Sequence, residues 1–148
     1  MSDIKIVKAD LPMVPALLKL SAQLGYERSA DDISTQVEKI YFNNDHFLIA
    51  ALQDGEVRGW AHFYLVDLIT SLPYIEVGGL VVDQACHRQG LGRALMQAGE
   101  DWAMTHDIKA VRVRSRMQRI SAHAFYERLG YECIKEQMIF LKTLQVKP

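Results

Sequence analysis

The sequence predicts a mixed α/β domain: a twisted, mostly antiparallel sheet with flanking helices. Two observations predict it. Consecutive strand-like stretches fill the middle of the chain around an Asp54-Gly55 turn signal, which makes antiparallel neighbours. Further on, a strand–helix–strand unit spans the amphipathic stretch from Leu91 to Ala103, which adds a parallel pairing. At 148 residues, with no repeat, linker or low-complexity run, the chain suits one domain over 1–148.

The elements follow in order. "IKIVKA" reads as a first strand. "DLPMVPALLKLSAQLGY" reads as a helix that starts late because of Pro12 and Pro15 and stops near Gly25. "SADDISTQVEKIYF" opens with Ser29 three residues before Asp32, a start of the capping-box type for a second helix. "HFLIAAL" and "VRGWAHFYLVDLI" form a hairpin about Asp54-Gly55. "PYIEVGGLVVD" is another strand, and Gly78-Gly79 inside it predicts a bulge. A long helix follows, with Leu91, Leu95, Ala98 and Trp102 spaced to face a core. Lys109 to Ser115 reads as a strand, Ser121 to Leu129 as a short helix ended by Gly130, and "YECIKEQMIFLKTL" as one or two closing strands.

Composition excludes several classes. Hydrophobic residues at 49% and charged residues at 24% match an ordinary globular protein, and a net charge of −1 favours neither nucleic acid nor an anionic membrane as partner. No stretch is long and apolar enough to span a bilayer, and "MSDIKIVKAD" lacks a signal peptide's apolar region. Cys86 and Cys133 make neither a disulfide framework nor a metal-ligand pair, so a reducing cytoplasm is the expected compartment and no metal is expected.

The stretch "HRQGLGRALMQAGEDWA" places glycines 90 and 92 at the mouth of a helix, where unpaired N–H groups and the positive dipole end suit a phosphate. A dinucleotide fingerprint needs a glycine where Leu95 stands and an acid at the end of the next strand, which reads "VRVRSR". A P-loop needs Gly-Lys-Ser/Thr where the chain has Gly92-Arg93-Ala94. Both fail.

"LVVDQACHRQGLGRAL" resembles instead the acyl-coenzyme-A motif of the GNAT superfamily of N-acetyltransferases, Gln/Arg-x-x-Gly-x-Gly/Ala. "VRSRMQRISAHAFYERLGY" resembles that family's closing signature, and the order of elements is similar along nearly the whole chain. Two departures stand out: His87 occupies the first motif position, followed by Arg88, and Arg116 replaces the signature's Asn. The resemblance implies a splayed strand pair that takes pantetheine along Leu80, Val81 and Val82. It implies a pyrophosphate on the N–H groups of His87, Arg88, Gln89, Gly90, Leu91, Gly92 and Arg93, with Arg88, Arg93, Arg116 and Arg119 available for phosphates.

Direct acetyl transfer from acetyl-CoA to an amine needs a base near the acceptor, a hydrogen-bond donor near the thioester carbonyl and an acid near sulfur. Glu76, fourteen residues before Gly90, matches the position of the base in histone-acetylating relatives; its alternative is a strand glutamate facing solvent or a cation. Tyr126, in "AFYERLGY", matches the tyrosine that faces sulfur in many relatives, with Ala122, Phe125 and Leu129 forming a core stripe around it. The resemblance implies a backbone N–H at Leu80 or Val81 as the oxyanion donor. His62 and Tyr64 share a strand face, lining an acceptor cleft or packing under the first helices. His123 and Cys86 receive no catalytic role, and Asp83 ends its strand and supports the turn.

The leading function is an N-acetyltransferase acting on a primary amine of a small molecule, aminoglycosides included, or of a peptide. The alternative is a non-catalytic acyl-CoA-binding or sensory domain. Arg112, Arg114 and Arg116 alternate as a basic stripe, but without interleaved aromatics they suit a solvated face or the coenzyme's phosphates better than nucleic acid. "QMIFLKTL" presents an edge through which a homodimer would form.

Overall fold

A computed structural model describes residues 3–145, which fall into two compact units, one running to Arg114 and the other starting at Ser115. The first carries a five-stranded sheet in the order β1-β2-β3-β4-β5. These strands are β1 (Ile4–Lys8), β2 (His46–Gln53), β3 (Glu56–Val66), β4 (Tyr74–Val82) and β5 (Val111–Val113). The first four pair antiparallel in sequence order, and β4 pairs β5 in parallel.

Local chemistry explains the boundaries. Pro12 and Pro15 hold the chain in a 3-10 turn over Leu11–Met13 before α1 (Val14–Ala22) begins, and Gly25 at φ +81° closes it. The Ser29 hydroxyl accepts from the Asp32 N–H at 3.1 Å to start α2 (Ala30–Tyr41). Asp54 and Gly55 at φ +53° and +83° make the two-residue turn between β2 and β3. The register shifts where His62 faces Gly79 and Phe63 faces Val77, which leaves Gly78 as the extra residue of a bulge in β4.

The two faces of the sheet hold two cores. On one, Val14, Leu17 and Val37 of α1 and α2 pack with Leu48 and Ala50 of β2. On the other lies α3 (Leu91–Thr105), which buries Leu91, Leu95, Met96, Gly99 and Ala103. This corrects the expected face, since Ala98 and Trp102 are only half-buried. Gly99 sets the helix rotation: a Cβ there would stand 2.2 Å from the Phe63 ring, so the ring lies on bare helix backbone. Trp102 stacks at the margin on Phe47, with centroids 5.2 Å apart.

The second unit carries α4 (Ile120–Arg128), ended by Gly130 at φ +93°. The closing strands expected in "YECIKEQMIFLKTL" do not form: no strand follows β5 among the described residues. The apolar residues of that segment are instead exposed, with Met138, Ile139, Phe140 and Leu141 each at 79–89% of full accessibility. A strand needs a partner strand to satisfy its backbone, and the sheet adds none after β5 among the described residues. The expected strand Lys109–Ser115 likewise shortens to Val111–Val113.

Candidate active site

The parallel β4–β5 pair is short. It joins Ile75, Glu76 and Val77 to Val111, Arg112 and Val113, while β4 runs on to Val82. From Gly78 onward β4 has no strand partner on its β5 side among the described residues, so the pair parts at the bulge. Leu80, Val81 and Val82 lie on this unpaired stretch, with Val81 buried and the other two half-buried.

β4 leads into a turn that is held from several sides. The Asp83 carboxylate accepts from the Ala85 N–H at 3.1 Å and from Gln23 and Arg58, each at 3.3 Å. That first hydrogen bond, together with the two side-chain donors and the Arg58 charge, holds the Asp83 carboxyl below the usual range against its partial desolvation. His87 reaches back to the Val82 carbonyl (Nε2 to O 3.2 Å), and Gln89 accepts from buried Gln53 at 2.8 Å. Arg88 and Gly90 take φ of +66° and +88°. Nothing lies within 4 Å of a Cβ built on Gly90, so glycine serves the backbone angle rather than space.

The first bond inside α3 runs from the Ala94 N–H to the Gly90 carbonyl at 3.0 Å. The N–H groups of Leu91, Gly92 and Arg93 precede it and have no intrahelical acceptor. N–H donors without an intrahelical acceptor at the positive end of a 15-residue helix suit an anion. Together with the unpaired β4 edge, they fit a ligand with a phosphate group and a chain of amides.

Glu76 is the buried charge of this region, at 2% exposure. Its Oε2 accepts from Arg114 Nε at 3.1 Å, and its Oε1 is buried with no hydrogen-bond partner among the described residues. Of the alternatives to a base at Glu76, burial excludes a solvent-facing carboxylate, and the Arg114 contact is the pairing with a cation, which leaves the second oxygen uncommitted. Register sets Glu76 opposite Tyr64, and Tyr64 opposite His46. His46 Nδ1 and His62 Nε2 are 2.9 Å apart with their rings stacked, and His46 also stacks on Tyr64 at 5.7 Å. Burial, then the neighbouring His46, lowers the His62 pKa from 6.5 to about 4. Burial, then the Glu76 charge, raises that of Tyr64.

The structure thus brings Glu76, His62 and Tyr64 onto one face of the sheet, beside the point where β4 and β5 part. The basic stripe does not form a free patch, since Arg112 lies over the Tyr74 ring at 4.5 Å and Arg114 binds Glu76. In the second unit, Tyr126 is half-buried between Phe125 and Tyr131, with centroids 5.2 and 6.1 Å away. Arg116 and Arg119 are exposed, and His123 Nε2 lies 2.8 Å from the Arg116 carbonyl, a structural use of that histidine.

Two side chains in contact with this group were missed by the sequence reading. His46 reads there only as the first letter of an apolar strand, and Arg114 only as part of a stripe. Counting register outward from the Asp54-Gly55 turn brings His46 near Tyr64, but the shift between Ala51 and Leu52 changes the count by one.

Comparison with known proteins gives a consistent result. A family model described as Acetyltransferase (GNAT) family matches residues 14–131. The uncharacterized N-acetyltransferase YhdJ of Bacillus subtilis (strain 168) is 25% identical over 139 residues, 88% of each chain. Among solved structures, AAC(6')-Iy in complex with the bisubstrate analog CoA-S-monomethyl-acetylneamine superposes with a TM-score of 0.87 at 18% identity, over 97% of this chain and 100% of that one. The aminoglycoside 6'-N-acetyltransferase AAC(6')-Ih of Acinetobacter baumannii gives 0.85 at 16% identity, over 97% and 100%.

Proposed function

The chain belongs to the Acetyltransferase (GNAT) family, and on that premise we propose that it moves an acetyl group directly onto the primary amine of a small cationic acceptor, with Glu76 as base. It is an N-acetyltransferase with acetyl-CoA as donor, and the non-catalytic alternative is not favoured. Bound acetyl-CoA supplies the thioester carbon that the amine attacks. The N–H groups from His87 to Arg93 would hold its pyrophosphate, Leu80, Val81 and Val82 would pair with its amides, and Arg88, Arg93, Arg116 and Arg119 would serve its phosphates.

The single observation carrying the base assignment is the state of Glu76: buried, with Arg114 on one oxygen and the other oxygen unpartnered. An oxygen left so is costly in a folded chain, and a proton that reaches it, directly or through a water, relieves that cost. Oε1 would take the proton the amine loses on attack, a Leu80 or Val81 N–H would donate to the thioester oxygen, and Tyr126 would supply the proton that the sulfur needs.

A small amine is favoured by two features. The aromatic faces of His46, His62 and Tyr64 beside a buried carboxylate suit a cation. The solved neighbours that act on aminoglycosides share the fold. A peptide amine is the second acceptor class. The enzyme works in the cytoplasm, consistent with two free cysteines, and no helix among the described residues is long and apolar enough to cross a membrane. It forms a homodimer through the exposed Met138–Leu141 segment, an apolar run in need of cover; a monomer in sedimentation would overturn this.

The test is a thermal melt with acetyl-CoA followed by a thiol-release assay on neamine and a lysine peptide. Coenzyme at a hundred times its Kd adds about 2.7 kcal/mol, roughly 5–10 °C for a chain of this size. No shift at millimolar coenzyme, or no turnover of any amine, defeats the proposal.

A further inference from the structure

An alkylammonium that becomes an amide loses two protons. One ends on the departing sulfur, and the other has to reach solvent. Glu76 is enclosed and takes the second proton as the amine attacks, so the first needs a route of its own on that face of the sheet. From the hydrogen-bonded His46–His62 pair beside Gly78, we infer that these imidazoles form a relay carrying the acceptor's first proton from the site to water.

The geometry has three parts. A Cβ on Gly78 would stand 2.8 Å from His62 Nδ1, so any side chain at the bulge would close over that nitrogen, beside the point where β4 and β5 part. The other ring nitrogen of His62 meets His46 Nδ1 at 2.9 Å. His46 opens β2 and follows the exposed residues 41–45, where water has access. Two imidazoles in series therefore join the site to the surface.

Proton and electron pairs balance as follows. The ammonium N–H gives its proton to the His62 Nδ1 lone pair, leaving a neutral amine. His62 Nε2–H passes its proton to His46 Nδ1, and His46 Nε2–H gives one to water. Each ring ends neutral in its other tautomer, and exchange with solvent resets the pair. Burial keeps His62 neutral at physiological pH, so it transmits the proton and does not store it. The charged and titratable groups facing the pair are Tyr64 on β3 and Glu76 on β4, with Arg114 bound to Glu76. His62 is thus a catalytic residue, and His46 a positioning residue acting through it.

The inference rests on the N-acetyltransferase reading, and its test has an arm independent of turnover. Nitrogen-15 spectra of the full chain report each ring's tautomer; the relay requires His62 protonated at Nε2 with Nδ1 bare. A His62 protonated at Nδ1 overturns it, whatever the activity. In the second arm, His46→Phe keeps the stack but removes both nitrogens. With neamine as acceptor, kcat at pH 7 falls about a hundredfold while KM holds, and the loss shrinks as pH rises and the amine deprotonates unaided. A loss equal at every pH means a packing role and overturns the relay. Failure of wild-type turnover condemns the acetyl-transfer reading instead, and the tautomer still decides the pair.

Discussion

Arg114 Nε holds Glu76 Oε2 at 3.1 Å, and Oε1 is buried with no partner among the described residues, so one oxygen of the carboxylate is fixed and the other uncommitted. The substitutions Glu76→Gln and Arg114→Met separate these roles. Glu76→Gln removes the base but keeps an amide in the same space. It lowers kcat about a hundredfold with little change in melting temperature. Arg114→Met leaves a buried carboxylate with neither oxygen paired and destabilises the fold by about 1–3 kcal/mol, read by urea unfolding. Equal stability loss in both variants would contradict this division.

Gly90 precedes α3 at φ +88° with open space around it, so its role lies in backbone angle alone. Gly90→Ala strains the turn by about 1–2 kcal/mol. The relaxed turn tilts the N–H groups of the first helical turn away from their shared focus. Losing one charge-assisted hydrogen bond weakens coenzyme binding about tenfold or more, measured by calorimetry. Unchanged affinity would mean that these N–H groups do not hold the pyrophosphate.

Much of the fold is legible in short-range chemistry. Pro12, Ser29, Asp54-Gly55, Gly78-Gly79 and Gly130 each act on their own neighbourhood, and each marks the boundary, turn or bulge that forms. What escaped reading depends on distant partners. The rotation of α3 follows from Phe63, nearly forty residues away from Gly99 in sequence, and the closing strands failed because alternation in "QMIFLKTL" describes a face without supplying a neighbour. The site divides the same way. The glycine turn before α3 is a local motif and was legible as a turn, whereas the Glu76–Arg114 and His46–His62 pairs exist only once register is set.

The contact between Gly99 and Phe63 is the tightest requirement in the α3 core. Gly99→Ala places a methyl group 2.2 Å from a ring that is itself fully buried, so helix and sheet have to separate. Overpacking of this kind costs about 1–3 kcal/mol. Replacing Phe63 with Leu in the same chain makes room, so the double variant loses less than the sum of the two single changes. Additive losses in a double-mutant cycle would show that the ring has another place to go.

His62 makes stability depend on acidity in a definite direction. Its pKa falls from 6.5 in the unfolded chain to about 4 in the fold, chiefly through burial and then through His46. The unfolded state therefore binds the proton more readily between these values, and protonation draws the chain toward unfolding. The contribution is fully present above about pH 6.5 and is lost as pH falls toward 4. His62→Phe removes the titrating group and keeps an aromatic ring among His46 and Tyr64. Unfolding free energy measured from pH 7 to pH 4 then falls less steeply in the variant than in the wild type. Parallel curves would mean that His62 titrates alike in both states and that the enclosure around it is open to water.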